Sequence, residues 1–232
     1  MRIAVISDIH GNIYALMRVL ENIDTENVDT IVCLGDLVGY GPHPNEVVSL
    51  IRRRNILCIK GNYDASVVDN DFTYIRETNT NSFSLPWTAD ELRTSNKYYL
   101  DNLPNSISLN IQNKDILFVH GSPRKINEYV TEDYVEMEQV INSANCDILV
   151  CAHTHIPYHK EINNKIIVNC GSVGKPKNGS PNATYAILEI ENKRMPKVII
   201  KSVEYEFTRT MKDMELKDFP VPLVKSYESG LE

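Results

Sequence analysis

The sequence predicts an α/β fold built around a parallel sheet, with a polar crevice at the carboxyl ends of its strands. Three observations carry this. Short β-branched runs alternate with helical periodicities from Ile3 to Ile59. These runs are apolar throughout rather than alternating, as in strands buried on both faces. Successive runs also end beside Asp, Asn or His, and in open α/β sheets the carboxyl ends of the strands border the ligand crevice.

The elements follow in order. Ile3-Ala4-Val5-Ile6 reads as a buried strand. Asn12 then caps a helix whose Ile13, Leu16, Met17, Leu20 and Ile23 fall on one face. Thr30 to Leu34 is the second strand and Ile56 to Ile59 the third. Between them Pro44 to Arg53 forms a helix, with Pro44 suited to its first turn. This order implies right-handed crossovers. From Ala65 to about Pro104 the chain becomes more polar and irregular, and residues 65–104 are predicted as a cap-like segment. Inside it, Thr88-Ala89-Asp90-Glu91 is a capping box that predicts the start of a helix carrying Leu92, Tyr99 and Leu103. Ile107 to Ile111 and Ile116 to Val119 predict a hairpin across Gln112-Asn113-Lys114-Asp115. A helix from about Glu132 to Ala144 follows. Strands at Ile148 to Cys151, Ile166 to Val168, Tyr185 to Ile190 and Val198 to Val203 make the C-terminal part mostly β. No repeat or linker composition divides the chain, so residues 1–232 are predicted as one domain.

Composition narrows the function classes. The chain is 42% hydrophobic and 24% charged, as in an ordinary globular protein. A formal net charge of -7 argues against duplex nucleic acid as a partner, while allowing a local basic pocket for a small phosphate. The apolar N-terminal run is too short for a signal peptide. No run approaches the roughly 20 apolar residues of a membrane span, so no membrane partner is expected. Cys33, Cys58, Cys146, Cys151 and Cys170 are odd in number and form no C-x-x-C pair. They predict buried packing thiols and a reduced, cytoplasmic setting.

The chemistry lies where the strands end. Asp8 and His10 follow the first strand, Asp36 the second and Asn62 the third. His120 follows Ile116 to Val119, and His153 and His155 follow Ile148 to Cys151. Each fragment alone is common, since Gly-Asp and Gly-Asn usually mark turns. Together they bring carboxylates, imidazoles and an amide oxygen to one crevice, a donor set suited to divalent transition metals. Seven donors exceed the needs of one tetrahedral ion and suffice for two if a carboxylate bridges. Two such ions can activate a water and clamp the oxygens of an in-line phosphoryl displacement. Gly35 and Gly61 are expected to permit sharp turns just before Asp36 and Asn62.

The ordered set Asp8-x-His10, Gly35-Asp36, Gly61-Asn62-x-Asp64, His120-Gly121 and His153-x-His155 resembles the calcineurin-like metallophosphoesterase superfamily. Longer stretches, including Gly35-Asp36-Leu37-Val38-Gly39-Tyr40-Gly41-Pro42 and Asn169-Cys170-Gly171-Ser172-Val173-Gly174, are similar to its small bacterial phosphodiesterases. That branch includes hydrolases of diadenosine polyphosphates. The resemblance runs from Arg2 to about Ile190 and implies a four-layer αββα sandwich, two β-sheets flanked by helices. It implies that Asp8, His10 and His155 hold one metal, that Asn62, His120 and His153 hold the other, and that Asp36 bridges. Asp64 would orient a neighbour rather than ligate. Two divalent ions are expected as cofactors, manganese first, with iron, zinc, cobalt or nickel as alternatives. The implied reaction is hydrolysis of phosphodiester or phosphoanhydride bonds in a small, nucleotide-type substrate by a metal-bridging hydroxide.

The chain departs from the family at Tyr63, where a His is usual and is assigned to leaving-group protonation or charge stabilisation. A phenol, with an unperturbed pKa near about 10, is a much weaker acid. Good leaving groups are therefore expected, and a phosphoprotein phosphatase is the weaker alternative. Ala152 replaces a customary Gly with another small residue. Arg124 is a candidate phosphate clamp or else a surface Arg. His43 could supply the acid missing at Tyr63 or simply be solvated. Phe72, Tyr74, Phe83 and Trp87 could stack on a base or pack as a satellite core. A non-catalytic scaffold, as in the retromer subunit that resembles this family, is the remaining alternative. Against it, all seven ligand positions hold competent side chains.

Overall fold

A computed structural model of the chain describes residues 1–192 and 194–231. Two mixed five-stranded sheets pack face to face between helices. The first runs β10 (Lys197–Val203), β9 (Ala183–Glu189), β1 (Arg2–Ile6), β2 (Thr30–Cys33), β3 (Leu57–Cys58). Its β1, β2 and β3 are parallel, as the crossovers require, and β9 and β10 extend it antiparallel. The second runs β4 (Ser106–Ile111), β5 (Lys114–Val119), β6 (Ile148–Cys151), β8 (Lys165–Asn169), β7 (Tyr158–Ile162). Here β5, β6 and β8 form the parallel centre.

The strand alternation explains the layers. Ile3 and Val5 of β1 enter the core between the sheets, where they meet Phe118, Val150 and Val168 of the second sheet. Ala4 and Ile6 point the other way. They pack under α1 (Ile13–Asp24) and α2 (Pro44–Arg53). Phe118 is fully buried, and a Phe→Ala truncation at such a site costs about 3–5 kcal/mol. The far face of the second sheet is covered by α6 (Met137–Ser143) through Met137, Val140 and Ile141.

Several elements differ from the sequence expectation. The 65–104 segment is helical: α3 (Asn62–Asp69) leads into it, and α4 (Asn79–Glu91) and α5 (Thr94–Asp101) lie within it. Thr88 does not cap a helix. It lies inside α4, fully buried, and Thr78 caps that helix by accepting from the Asn81 amide. Ser84 and Thr88 are both buried beside Leu85 and Ala89, so no apolar stripe marks α4 in the sequence. Met17 is 48% exposed and leaves the apolar face of α1. The predicted hairpin tightens to a two-residue turn in which Gln112 and Asn113 both have positive φ. The C-terminal part is not mostly β, because α7 (Phe207–Leu216) and α8 (Val221–Ser229) follow β10. In α7 only Thr210 and Met214 are buried, too few to read as a periodicity. All five cysteines are free and buried.

Candidate metal centre

The segments leaving β1, β2, β3, β5 and β6 converge and bring together all seven predicted ligands, every one of them buried. Two groups form, Asp8 with His10 and His155, and Asp36 with His120 and His153; in each, ligand atoms lie within 4.8 Å of one another. Asn62 joins the second group, its Oδ1 2.8 Å from His120 Nε2. Asp36 Oδ2 faces both, 3.6 Å from His10 Nε2 and 3.3 Å from His120 Nε2. His155 Nε2 lies 3.2 Å from Asp8 Oδ1 and 3.2 Å from His10 Nε2.

The surrounding backbone orients these groups. His10 Nδ1 is 2.9 Å from the Val38 carbonyl and His120 Nδ1 2.7 Å from that of Leu34, and His155 Nδ1 meets the Lys175 carbonyl. Donation from Nδ1 leaves each Nε2 lone pair facing the cluster, the arrangement that suits a ligating imidazole. One oxygen of each carboxylate is committed: Asp8 Oδ2 accepts from the His153 amide at 3.2 Å and Asp36 Oδ1 from the Tyr63 amide at 2.8 Å. The other oxygens, Asp8 Oδ1 and Asp36 Oδ2, are buried with no hydrogen-bond partner among the described residues. Unpaired buried anions beside opposed lone pairs are costly unless a cation lies among them. The donor set therefore fits two divalent ions.

Charge follows the same logic. Burial alone would raise the Asp8 carboxyl, but the imidazoles of His155 and His10 beside it outweigh burial and hold it well below the usual range. Asp36 is likewise lowered, chiefly by His120 acting against burial. Burial pushes His153 down to about 3 and His155 to about 4, leaving neutral rings. His120 goes the other way, to about 10, because Asp36 outweighs its burial. A cation at Asp36 would take the place of that proton.

The backbone here is unusual. Asp8, His10, Asp36, His153 and His155 all lie in the left-handed region, with φ of 51°, 47°, 52°, 66° and 62°. Strain of this kind persists only where surrounding structure enforces it. Ser172 enforces it at Asp8, its Oγ donating to the Asp8 carbonyl at 2.7 Å. Gly35 turns as expected, with φ +89°, but Gly61 does not, having an extended backbone at φ -90°. Gly61 is needed for proximity, since a Cβ there would stand 2.1 Å from Asp36 Oδ1. Asp64 ties the two loops together, accepting from the amides of Gly61 at 3.0 Å, Leu37 at 2.9 Å and Val38 at 3.3 Å. Burial, with the Asp36 charge, raises its pKa to about 7 against the pull of those amides.

The remaining candidates lie elsewhere or face away. Tyr63 packs edge-on against His10, with ring centroids 4.9 Å apart, and its hydroxyl bonds to Tyr40 and to Asn81 Oδ1. Arg124 does not reach into the cluster. Its guanidinium is held by Glu128 and, at 2.8 Å, by Glu136. His43 also stays out of the cluster, with Nε2 3.0 Å from Asp213 of α7 and its ring against Tyr14. Phe83 and Trp87 pack on Phe219, and Phe72 joins the same core. Tyr74 instead lines the cleft over the cluster, a cavity of about 480 Å³ that also takes in Arg76, Tyr129 and Lys177. Sequence reasoning did not single out those last three. Arg76 stands in the polar segment, Lys177 just after the Gly171-Ser172-Val173-Gly174 stretch, and neither has a spacing that marks it.

Residues 1–193 match the profile of the calcineurin-like phosphoesterase superfamily domain. An uncharacterised protein of Methanocaldococcus jannaschii is 36% identical over 225 residues, covering 89% of each chain. The phosphodiesterase YfcE of Escherichia coli is 25% identical over 199 residues, covering 82% of this chain and 88% of its own. The crystal structure of a metallophosphoesterase from Sphaerobacter thermophilus superposes with a TM-score of 0.83 at 30% identity, covering 100% of this chain and 99% of the other.

Proposed function

The chain belongs to the calcineurin-like phosphoesterase superfamily, and from that premise we propose a dinuclear metal-dependent hydrolase of phosphodiester or phosphoanhydride bonds in a small, nucleotide-type substrate. The observation that carries the reading is the pair of orphaned, buried carboxylate oxygens, Asp8 Oδ1 and Asp36 Oδ2, set among imidazole nitrogens. Asp8, His10 and His155 would hold one ion; Asn62, His120 and His153 would hold the other, with Asp36 shared. Divalent ions at these positions supply an acidified water and neutralise phosphoryl oxygens. Imidazole, carboxylate and amide donors without thiolate suit manganese, iron, zinc, cobalt or nickel, and manganese is the ion we put first.

The protein's own groups set the geometry. Asn62 Nδ2 donates to the Tyr74 carbonyl at 3.4 Å, which turns Oδ1 inward. Asp64 fixes the loops that carry Asp36 and Asn62. The cleft above admits a ligand of moderate size, its volume lying within the usual range of about 300–1,000 Å³ for small-molecule sites. We read residues 1–232 as one domain, with the α4–α5 region as a cap on this cleft. Among the described residues no helix is long and apolar enough to cross a membrane, and five free thiols are consistent with a reducing cytoplasm. Metal content of the purified protein, measured alongside turnover of bis-p-nitrophenyl phosphate, tests the reading. Two metals per chain with turnover are expected; a protein that binds no metal and hydrolyses nothing would rule it out.

A further inference from the structure

The cleft over the metal centre has a charge pattern at odds with the rest of the chain. The protein carries a net charge of -7, yet no carboxylate lines this cleft among the described residues, while Arg76 and Lys177 do. A neighbouring cavity of about 280 Å³ shares Tyr40, Arg76, Thr78 and Lys177 with it, adds Lys175, and again has no described carboxylate in its lining. Arg76 and Lys177 therefore stand where the two cavities meet.

Both positions are braced against the metal centre. Asn81 Nδ2 donates to the Arg76 carbonyl at 2.7 Å, so Asn81 Oδ1 must accept from Tyr63, at 2.7 Å. The Tyr63 oxygen can then accept from Tyr40, and its ring rests on His10. On the other side Lys177 Nζ donates to the Tyr129 hydroxyl at 3.3 Å, and the Tyr129 ring packs 4.5 Å from that of His153. Arg76 through its backbone carbonyl and Lys177 through its ammonium are thus each linked by way of a tyrosine to a ring of the ligand cluster.

We propose that Arg76 and Lys177 form an anion subsite for a second phosphate beyond the scissile one, so that the preferred substrate is a phosphoanhydride such as a nucleoside polyphosphate rather than a simple diester. This rests on the phosphoesterase reading and chooses within it. A guanidinium and an ammonium flanking a cleft with no carboxylate among its described lining residues suit phosphate oxygens. The leaving group agrees. The Tyr63 proton is committed to Asn81 Oδ1, so it is not directed at a departing alkoxide. A departing phosphate needs no such help, its second pKa being only about 6. Water oxygen adds to one phosphorus and the P–O–P bridge to the other breaks. The bridging oxygen leaves as an anion on the second phosphate, facing Arg76 and Lys177, and the protons of the water pass to solvent.

The test compares diadenosine tetraphosphate with bis-p-nitrophenyl phosphate on manganese-loaded wild type, Arg76→Ala, Lys177→Ala and the charge reversal Arg76→Glu. The ratio of kcat/KM for the first substrate over the second should fall about tenfold in each alanine variant and further in Arg76→Glu. Calorimetric titration with methylenebisphosphonate, which is not hydrolysed, should show a parallel loss of affinity. Ratios within twofold of wild type, or unchanged methylenebisphosphonate binding, would overturn the subsite. Failure of the wild type to hydrolyse either substrate would count against the phosphoesterase reading instead.

Discussion

The Tyr63 hydroxyl donates to Asn81 Oδ1 across 2.7 Å and so spends its proton on α4 rather than on the candidate metal centre. The family pattern expects an imidazole at this position to help expel the leaving group. Wild type should therefore handle aryl diesters and phosphoanhydrides much better than alkyl phosphates. Tyr63→His should narrow that gap, by up to the roughly 10²–10⁴-fold of a well-placed general acid. Tyr63→Phe should leave Asn81 Oδ1 unsatisfied, at a cost of about 1–3 kcal/mol, and loosen the segment carrying Arg76. A series of esters with graded leaving-group pKa, run on all three proteins, decides. Equal dependence on leaving-group pKa in wild type and Tyr63→His would mean the proton comes from elsewhere.

Asp36 Oδ2 lies between the two ligand groups, and Asp36 Oδ1 is held by the Tyr63 amide. Asp36→Asn keeps the shape and removes the charge. Activity should drop at least about 10²-fold, more than changes to supporting residues usually cost. Metal content should fall while the circular dichroism spectrum stays the same. Full activity with two bound metals would show that Asp36 is not a shared ligand.

Metal removal gives an independent check. Exhaustive chelation should abolish hydrolysis, and manganese should restore it better than calcium, because imidazoles favour transition metals over hard-oxygen cations. Undiminished turnover by protein shown to be metal-free would exclude the mechanism.

The sequence displayed the candidate ligands more plainly than the frame around them. Asp8, Asp36 and His120 each follow an apolar run that ends abruptly, and a buried strand leading into a charged residue is unusual enough to notice. The left-handed φ of Asp8, His10, Asp36, His153 and His155 could not be read, because Asp and His tolerate that conformation without any signature in neighbouring residues. Gly61 was visible as a glycine, but its reason, proximity to Asp36 Oδ1, exists only once two distant loops meet. The helix α4 escaped for the opposite reason. Its buried Ser84 and Thr88 carry no apolar period, and Pro86 argues against a helix interior. Arg76 and Lys177 were hidden because a basic side chain in a polar stretch is ordinary until a fold places two of them on one cleft.

Arg124 provides the last test, since its sequence neighbours suggested a phosphate clamp and its contacts suggest a brace. Its Nε lies 3.1 Å from Glu128 Oε2, and Glu128 also accepts from Ser122 in the loop after His120. Burial would raise the Glu128 carboxyl, but Arg124, Ser122 and Tyr134 together hold it below the usual range. A depressed carboxyl stabilises the fold fully above its unfolded pKa, near about 4.3, and that contribution is lost as pH falls through the folded value. Arg124→Ala should therefore lower Tm at pH 7, and the gap to wild type should narrow as pH drops below about 4.3. Its kcat should stay within about threefold of wild type, whereas losing a clamp on a transferring phosphoryl group costs on the order of 10²–10³-fold. Thermal melts from pH 7 down to 3.5 (roughly the span of carboxylate titration), combined with kcat at pH 7, separate the two roles. A collapse of kcat with an unchanged Tm would return Arg124 to the substrate.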